Sequence, residues 1–385
     1  MFRNIVVGMS GGVDSAVAAF LLKNKGFNVQ AVFMKNWDIV DEIGQCTADK
    51  EFADADLVCK KLNIPLFRID FVKEYWNDVF SYLLESYQNG MTPNPDIKCN
   101  KKIKFDKFYC FARNELKADA IATGHYVRTS FGQYLENYSE NANVKLLRGK
   151  DFSKDQSFFL SQVPQKSLKK CMFPVGEYNK IDIKRIAKEA QLTSVLHKKE
   201  SMGICFIGSR NFQKFITEYV ENKSGNFLDI TKGKIVGSHN GFHYWTVGQR
   251  CKVGGCNDRL MVFYKNIETN DIWVVPGTNH PTLYSDLLIA SKPHWICEEP
   301  DQLNKSKSVL QCGFRFQHRK PLITCSIFKT KNENLIVLLS KPLRALTQGQ
   351  YAVFYKGEEC LGSAKIVHCG PSYYSLGKID ISLED

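Results

Sequence analysis

The stretch Ile5-Val6-Val7-Gly8-Met9-Ser10-Gly11-Gly12-Val13-Asp14-Ser15, followed at once by Ala16-Val17-Ala18-Ala19-Phe20-Leu21-Leu22, decides the fold of this chain. Three β-branched residues, a glycine-rich turn and an alanine/leucine run read as strand, loop and helix. In that geometry the N–H groups of the loop and of the first helical turn converge on one spot, a ready site for an anion, phosphate above all. A Walker-type loop would add a lysine for the β- and γ-phosphates. This loop has none and offers Ser10, Ser15 and the carboxylate of Asp14 instead. An acid beside a polyphosphate makes chemical sense with Mg²⁺ between them, so Asp14 is the candidate metal ligand. The plainer alternative makes Asp14 and Ser15 helix-capping residues, as their types favour. Two serines and an acid around a Gly-Gly pair exceed what a cap needs.

Outward from the loop, strand and helix patterns alternate as far as Tyr126. Strands are expected over 28–34, 66–70 and 118–126, and helices over 50–62, 71–88 and 101–116. Such alternation implies an α/β fold, a parallel sheet with helices on both faces and ligands bound beyond the strands' carboxyl ends. The glycine loop, Met34 and Gly124-His125 all fall at such ends. The polar stretch 128–151 reads as a hairpin excursion. Ser153, with Gln156 three residues on, reads as the capping box of a further helix. Helical patterns continue over 182–191 and 210–219. After about Lys223 glycines and β-type residues dominate, and from Leu287 to Ile379 short strands recur at roughly 10–12-residue intervals, the mark of a small barrel or sandwich. The expected organisation is a catalytic domain over 1–210, a mostly β central domain over 211–283 and a C-terminal β-barrel over 284–385.

The composition suits such a protein. The 385 residues carry 52 Lys+Arg against 40 Asp+Glu, a net charge of +12 that is compatible with a polyanionic partner such as nucleic acid. No apolar run approaches the ~18 residues of a membrane span. The first strand is expected from Ile5, which leaves no room for a signal or transit peptide. Thirteen cysteines are scattered without a C-x-x-C pair, which argues against a zinc ribbon and for a reducing compartment.

Two cysteines stand apart by context. Cys99 follows Thr92-Pro93-Asn94-Pro95-Asp96-Ile97-Lys98, a proline-stiffened loop expected just before a lysine-rich helix start, where a thiol pKa is depressed. Cys205 lies in Gly203-Ile204-Cys205-Phe206-Ile207-Gly208, flanks suited to a mobile loop carrying a nucleophile. Either alone is equally well read as a small hydrophobe in a turn. In Gly313-Phe314-Arg315-Phe316-Gln317-His318-Arg319 arginines interleave with aromatics, a pattern that suits phosphate contact and base stacking and also suits a plain strand with solvated arginines.

The S-G-G-x-D-S pattern of Ser10 to Ser15 resembles the PP-loop of ATP pyrophosphatases. Together with Phe33-Met34-Lys35-Asn36-Trp37, the Thr92–Lys101 stretch, Ala122-Thr123-Gly124-His125-Tyr126, Lys154-Asp155-Gln156-Ser157, the Cys205 segment, Thr246-Val247-Gly248-Gln249-Arg250 and Gly349-Gln350-Tyr351, it resembles the tRNA-specific 2-thiouridylases over nearly the whole chain, most closely the animal mitochondrial branch. The resemblance implies that Gly8, Met9, Ser10, Gly11, Gly12, Val13, Asp14 and Ser15, with Met34 and Gly124, bind ATP and Mg²⁺. It implies that the C2 oxygen of the wobble uridine (tRNA of Lys, Glu and Gln type) attacks the α-phosphate. A persulfide on Cys205, charged by a cysteine desulfurase or a sulfur carrier, then supplies sulfur. The resemblance further implies that Cys99 helps release sulfide or resolves the persulfide, after which the two thiols can close a disulfide that must be reduced, and that Asp96 is the general acid/base. A cap for the helix is the alternative role of Asp96. Asn94, Pro95 and Asp96 would line the pocket for the flipped base. His125, Lys154, Asp155, Gln156, Arg315, Phe316 and Gln350 would contact tRNA, although Gln156 reads equally as plain helix. The enzyme is expected to be a monomer in the mitochondrion, or in the cytoplasm if bacterial in type. A small-molecule adenylating ligase on the same loop would explain the ATP site but not the cysteines, and a catalytically silent RNA-binding protein would not need the catalytic set intact.

Overall fold

The computed structural model describes residues 2–38, 47–196, 198, 212–254, 256, 258–304 and 309–378. Its first layer is a parallel sheet of β1 (Asn4–Met9), β2 (Asn28–Lys35), β3 (Leu66–Asp70), β4 (Ala120–Ala122) and a short edge strand from Cys171–Met172, in the order β3-β2-β1-β4-edge. β1 is paired on one side with β2 from Asn4↔Asn28 to Met9↔Phe33 and on the other with β4 through Ile5↔Ala120 and Val7↔Ala122. The chain therefore switches direction of winding at β1, and the crevice beyond the carboxyl ends of β1 and β4 is where an open α/β sheet binds its ligand. Helices α1 (Val13–Asn24) and α2 (Thr47–Leu62) follow the first two strands. Ala16, Val17, Ala18, Ala19 and Leu22 of α1 have no exposed surface, so small residues let that helix lie close on the sheet.

The helix expected over 101–116 begins earlier. Asn94 accepts a hydrogen bond from the Ile97 N–H at 3.2 Å and Pro95 takes the first helical position, so α3 runs Pro95–Cys99 and continues through a π-helical stretch, Asn100–Lys107, into Phe108–Asn114. The capping box expected at Ser153 does not form. Its hydroxyl donates to Asp151 Oδ1 at 2.6 Å in a local turn, and the helix there is only Ser157–Leu160. Helix α4 spans Lys180–Glu189.

The excursion over 128–151 is a hairpin, Val127–Thr129 with Leu146–Arg148, whose second strand pairs with the last strand of the C-terminal domain through Leu146↔Cys360 and Leu147↔Glu359. The N-terminal domain thus lends strands to the sheet of its C-terminal neighbour. That neighbour is closed into a ring of six strands in the order Tyr284–Ala290, Leu335–Arg344, Ile323–Lys329, Leu310–Arg315, Tyr351–Lys356 and Glu359–Cys369, the last pairing back to the first. Between the two lies a five-stranded sheet built from Gly225–Asp229 to Asp271–Pro276.

Strand Tyr351–Lys356 joins the two large domains. Ala352 and Phe354 face the barrel core, while Tyr351, Val353 and Tyr355 pack into the core of the N-terminal domain. A strand buried on both faces must read as a continuous apolar run, as Tyr351-Ala352-Val353-Phe354-Tyr355 does.

Candidate active site

The glycine loop sits at the switch point. Gly11 has φ +67°, and a Cβ there would lie 2.3 Å from the Glu51 carbonyl oxygen, so only glycine fits. Ser15 Oγ donates to the Gly12 carbonyl at 3.0 Å and accepts from the Ser10 N–H at 3.2 Å, which ties the loop across its own mouth. Gly12 is the N-cap of α1 and no side chain caps that helix. Its first N–H groups and its dipole face the crevice, an arrangement that fits the phosphates of a nucleotide. Gly124 closes the other wall: a Cβ on it would meet the Ser15 nitrogen at 2.7 Å. Met34, at the end of β2, comes within 3.2 Å of a Cβ built on Gly8. Gly8 and Met34, and Ser15 and Gly124, are thereby brought together around the loop.

Asp14 departs from expectation. Its Oδ1 accepts from the Tyr126 hydroxyl at 2.6 Å and from Lys180 Nζ at 2.7 Å, and its Oδ2 accepts from the same ammonium at 2.8 Å. A carboxylate occupied by an ammonium and a phenol does not fit the role of an open Mg²⁺ ligand, and among the described residues no group of three or more His, Cys, Asp or Glu side chains is arranged to hold a metal. Lys180 is the first residue of α4, more than 160 residues from the loop in sequence and in contact with it in space.

A second cluster forms around Lys104. Its ammonium lies 3.4 Å from His125 Nε2, and the other ring nitrogen, Nδ1, bonds Thr123 Oγ1 at 2.8 Å. Complete burial, then the Lys104 charge, hold the His125 imidazole well below its usual range, so it is neutral. Burial raises the Asp96 carboxyl, and the charges of Lys104 and His318 offset part of that rise. A carboxyl raised by burial near the Lys104 ammonium, with His318 itself lowered by burial, is a setting in which Asp serves as acid or base. Asp96 does not cap its helix, a task that Asn94 performs.

The sequence relations agree with this arrangement. Residues 3–209 match the tRNA methyl transferase HUP domain, 213–276 the tRNA methyl transferase PRC-barrel domain and 285–366 the aminomethyltransferase β-barrel domain. The mitochondrial tRNA-specific 2-thiouridylase 1 of Drosophila melanogaster is 47% identical over 371 residues, covering 96% of this chain and 95% of that protein. The chain belongs to the tRNA-specific 2-thiouridylases. The human protein of the same name is 48% identical, covering 98% of this chain and 93% of its own. The tRNA-specific 2-thiouridylase MnmA of Staphylococcus aureus is 43% identical, with 94% of each chain covered.

For this thiouridylase-family chain the remaining candidate residues divide sharply. Cys99 ends α3 a full turn beyond the cap and is only 4% exposed, so it is neither at a helix N-terminus nor in an open loop, as the sequence suggested. Cys205 lies outside the described residues. The Thr92–Asn94 loop and Gln350 meet across the domain boundary: Gln350 Nε2 donates to the carbonyls of Thr92 at 3.0 Å and Pro93 at 3.1 Å, and Gln350 Oε1 accepts from Asn94 Nδ2 at 3.3 Å. Gln350 is thus seated on the loop that carries Asp96.

Arg315 is not a solvated arginine. It is 4% exposed and donates to Asp155 Oδ2 and to the Tyr355 hydroxyl, both at 2.9 Å. Asp155, fully buried at its side chain, also accepts from Arg148 at 3.2 Å and from the N–H groups of Gly149 and Ser157. Phe316 is likewise 4% exposed and stacks on Phe314 with ring centroids 6.3 Å apart. Arg315 and Asp155 brace the barrel against the catalytic domain, while Phe316 packs in the barrel core; Arg315 and Phe316 also line the neighbouring groove. Gln156 Oε1 accepts from the Tyr126 N–H at 2.9 Å, which links this brace to Asp14 through Tyr126. Lys154 lies at the surface end of the same segment, half-buried. Beside the brace a groove of about 750 Å³ on the barrel is lined by Arg315, Lys320, Lys341 and Arg344 with no acidic side chain.

Sequence reasoning missed Lys180, Lys104 and His318. One signal pointed to Lys180: a cation at the first position of a helix opposes the helix dipole and needs another reason to be there.

Proposed function

We propose that this chain is the ATP-dependent enzyme that replaces the C2 oxygen of the wobble uridine of tRNA by sulfur. The observation that carries the reading is the uncapped glycine loop at the β1/β4 switch point with the Asp96 cluster in the same domain, in a chain whose relatives are named for that modification. ATP lies with its phosphates on Gly8 to Ser15 and its base side toward Met34 and Gly124. The uridine C2 oxygen attacks the α-phosphate, an O–P bond forms, and pyrophosphate leaves with the electrons of the broken P–O bond. Asp96, seated by Gln350 on the Thr92–Asn94 loop, moves the proton at the uridine. The terminal sulfur of a Cys205 persulfide attacks C2 and AMP departs. Cys99 takes up the inner sulfur as a disulfide, which an external thiol reduces. The persulfide is charged by a cysteine desulfurase or a carrier protein, and any Mg²⁺ travels with ATP.

Asn94 and Lys154, both half-buried, face the RNA, Pro95 and His125 being buried, with the basic barrel groove as the second contact and Arg315, Asp155 and Gln156 holding the two together. The enzyme acts in the mitochondrion, a reading that the names of the animal relatives support, on tRNA of Lys, Glu and Gln type. The 43% identity to a bacterial enzyme supports the cytoplasmic reading as the second one. Mass spectrometry of tRNA from cells lacking the protein tests both: 2-thiouridine should disappear from the mitochondrial pool. Loss confined to cytosolic tRNA supports the second reading, and unchanged 2-thiouridine in both pools refutes the function. In vitro, Cys205→Ser should abolish thiolation and leave pyrophosphate release on tRNA intact.

A further inference from the structure

We propose that Lys180 is the phosphate-binding cation of the nucleotide site and that Asp14 positions it, in place of an Asp14-bound metal ion. The inference rests on the ATP-binding reading above. The glycine loop carries no lysine of its own, yet an ammonium stands at its mouth: Lys180 Nζ lies 2.7 and 2.8 Å from the two Asp14 oxygens, on a side chain only 10% exposed. It is delivered by the first residue of α4, whose backbone N–H is itself fixed to Asp151 Oδ2 at 3.0 Å. Tyr126 holds the same carboxylate from the other side at 2.6 Å and follows Gly124, the wall of the crevice. Two residues from distant parts of the chain thus fix Asp14. Asp14 in turn holds the Lys180 ammonium against the first turn of α1, while Lys198, the other described lysine at the loop, donates to the Gly11 carbonyl at 3.1 Å.

This arrangement does what a Walker lysine does, from a different element. As the bond between the α- and β-phosphates breaks, negative charge grows on the departing pyrophosphate. An ammonium anchored at the loop neutralises it without having to be desolvated during the reaction. A carboxylate alone at that place would repel the leaving group.

The test measures binding of inorganic pyrophosphate and of AMP to the full chain by titration calorimetry, in buffer with EDTA so that no divalent cation contributes. A charge-assisted contact of this kind is worth on the order of 10- to 100-fold in affinity. Lys180→Met should weaken pyrophosphate by about that factor and leave AMP unchanged, and Lys180→Arg should restore most of the loss. Asp14→Asn keeps an acceptor for the ammonium while removing a negative charge, so it should bind pyrophosphate at least as tightly as the parent. Lys180→Met binding pyrophosphate like the parent, or losing AMP equally, overturns the assignment. Asp14→Asn weakening pyrophosphate as much as Lys180→Met also overturns it, and this arm decides the matter should Lys180→Met fail to fold. A parent chain that binds neither pyrophosphate nor ATP refutes the proposed function itself, a result distinct from a normal parent with an indifferent Lys180→Met.

Discussion

Replacing Arg315 by methionine separates a buried brace from an RNA contact. The change keeps an aliphatic stem and removes the guanidinium, which lies 6.0 Å from the Phe158 ring centre and 5.1 Å from that of Tyr355. Asp155 is left with Arg148 at 3.2 Å and the N–H groups of Gly149 and Ser157, so it is not stranded. Stranding a buried charge costs about 3–5 kcal/mol. Arg315→Met should therefore cost less, roughly 1–3 kcal/mol, the scale of one charge-assisted hydrogen-bond pair. Asp155→Asn is the harsher change, because it leaves a guanidinium that is 4% exposed with the Tyr355 hydroxyl as its remaining partner and so approaches the full 3–5 kcal/mol. The double variant should cost less than the sum, since the two share one interaction. Urea unfolding measures all three. The second measurement is tRNA binding from low to high salt. A contact to phosphate contributes roughly 0.7–0.9 to the slope of log affinity against log salt. Arg315→Met should leave that slope unchanged, whereas Lys320→Gln and Lys341→Gln, on the exposed groove, should each lower it by about that amount. A drop of that size in Arg315→Met without loss of stability would refute the brace.

Three further outcomes follow from the same geometry. Because burial raises the Asp96 carboxyl, the rate should fall as pH drops through a value above the ordinary aspartate range, and Asp96→Asn should lower kcat and remove that acid limb; a limb that persists in the variant discards Asp96 as the acid/base. Lys265 in the central sheet is pushed down to about 8 by burial, so between pH 8 and its unfolded value the unfolded chain binds the extra proton and stability rises with pH; Lys265→Met should flatten that rise and gain about 2 kcal/mol at pH 7, as urea unfolding across pH would reveal. Gly11→Ala forces a methyl against the Glu51 carbonyl at a left-handed backbone, costing roughly 1–3 kcal/mol and most of the ATP affinity; a variant that binds ATP normally contradicts the loop geometry.

What the sequence made legible was local. The strand, loop and helix around Gly8 to Ser15 have their periods and glycines written in adjacent residues, and β3 falls at Leu66–Asp70 as its pattern predicts. The lysines after Cys99 give the stronger helix pattern, so the expected start at 101 falls six residues after Pro95, and a thiol expected at a helix N-terminus is in fact buried at the end of the first helical segment. The polar pairs were not legible because their members lie far apart: Asp14 with Lys180, Asp155 with Arg315, Asn94 with Gln350. Composition tells that an arginine among aromatics can stack on a base or sit in a core, and only a partner decides between them.

That partner is Asp155, and its position changes the meaning of the segment that carries it. Lys154-Asp155-Gln156 reads as one surface motif, yet consecutive residues go to different tasks: Lys154 stays at the surface, Asp155 takes Arg315 from the barrel, and Gln156 takes the Tyr126 backbone. Tyr126 then donates its hydroxyl to Asp14. A hydrogen-bonded path therefore runs from the barrel through this short segment to the glycine loop, and each step is made by a buried or half-buried group. Such a path fixes the distance between the surface that bears the basic groove and the crevice that holds the loop. The proposed reaction brings one base of a tRNA to one phosphate, and a fixed distance between groove and crevice serves that alignment.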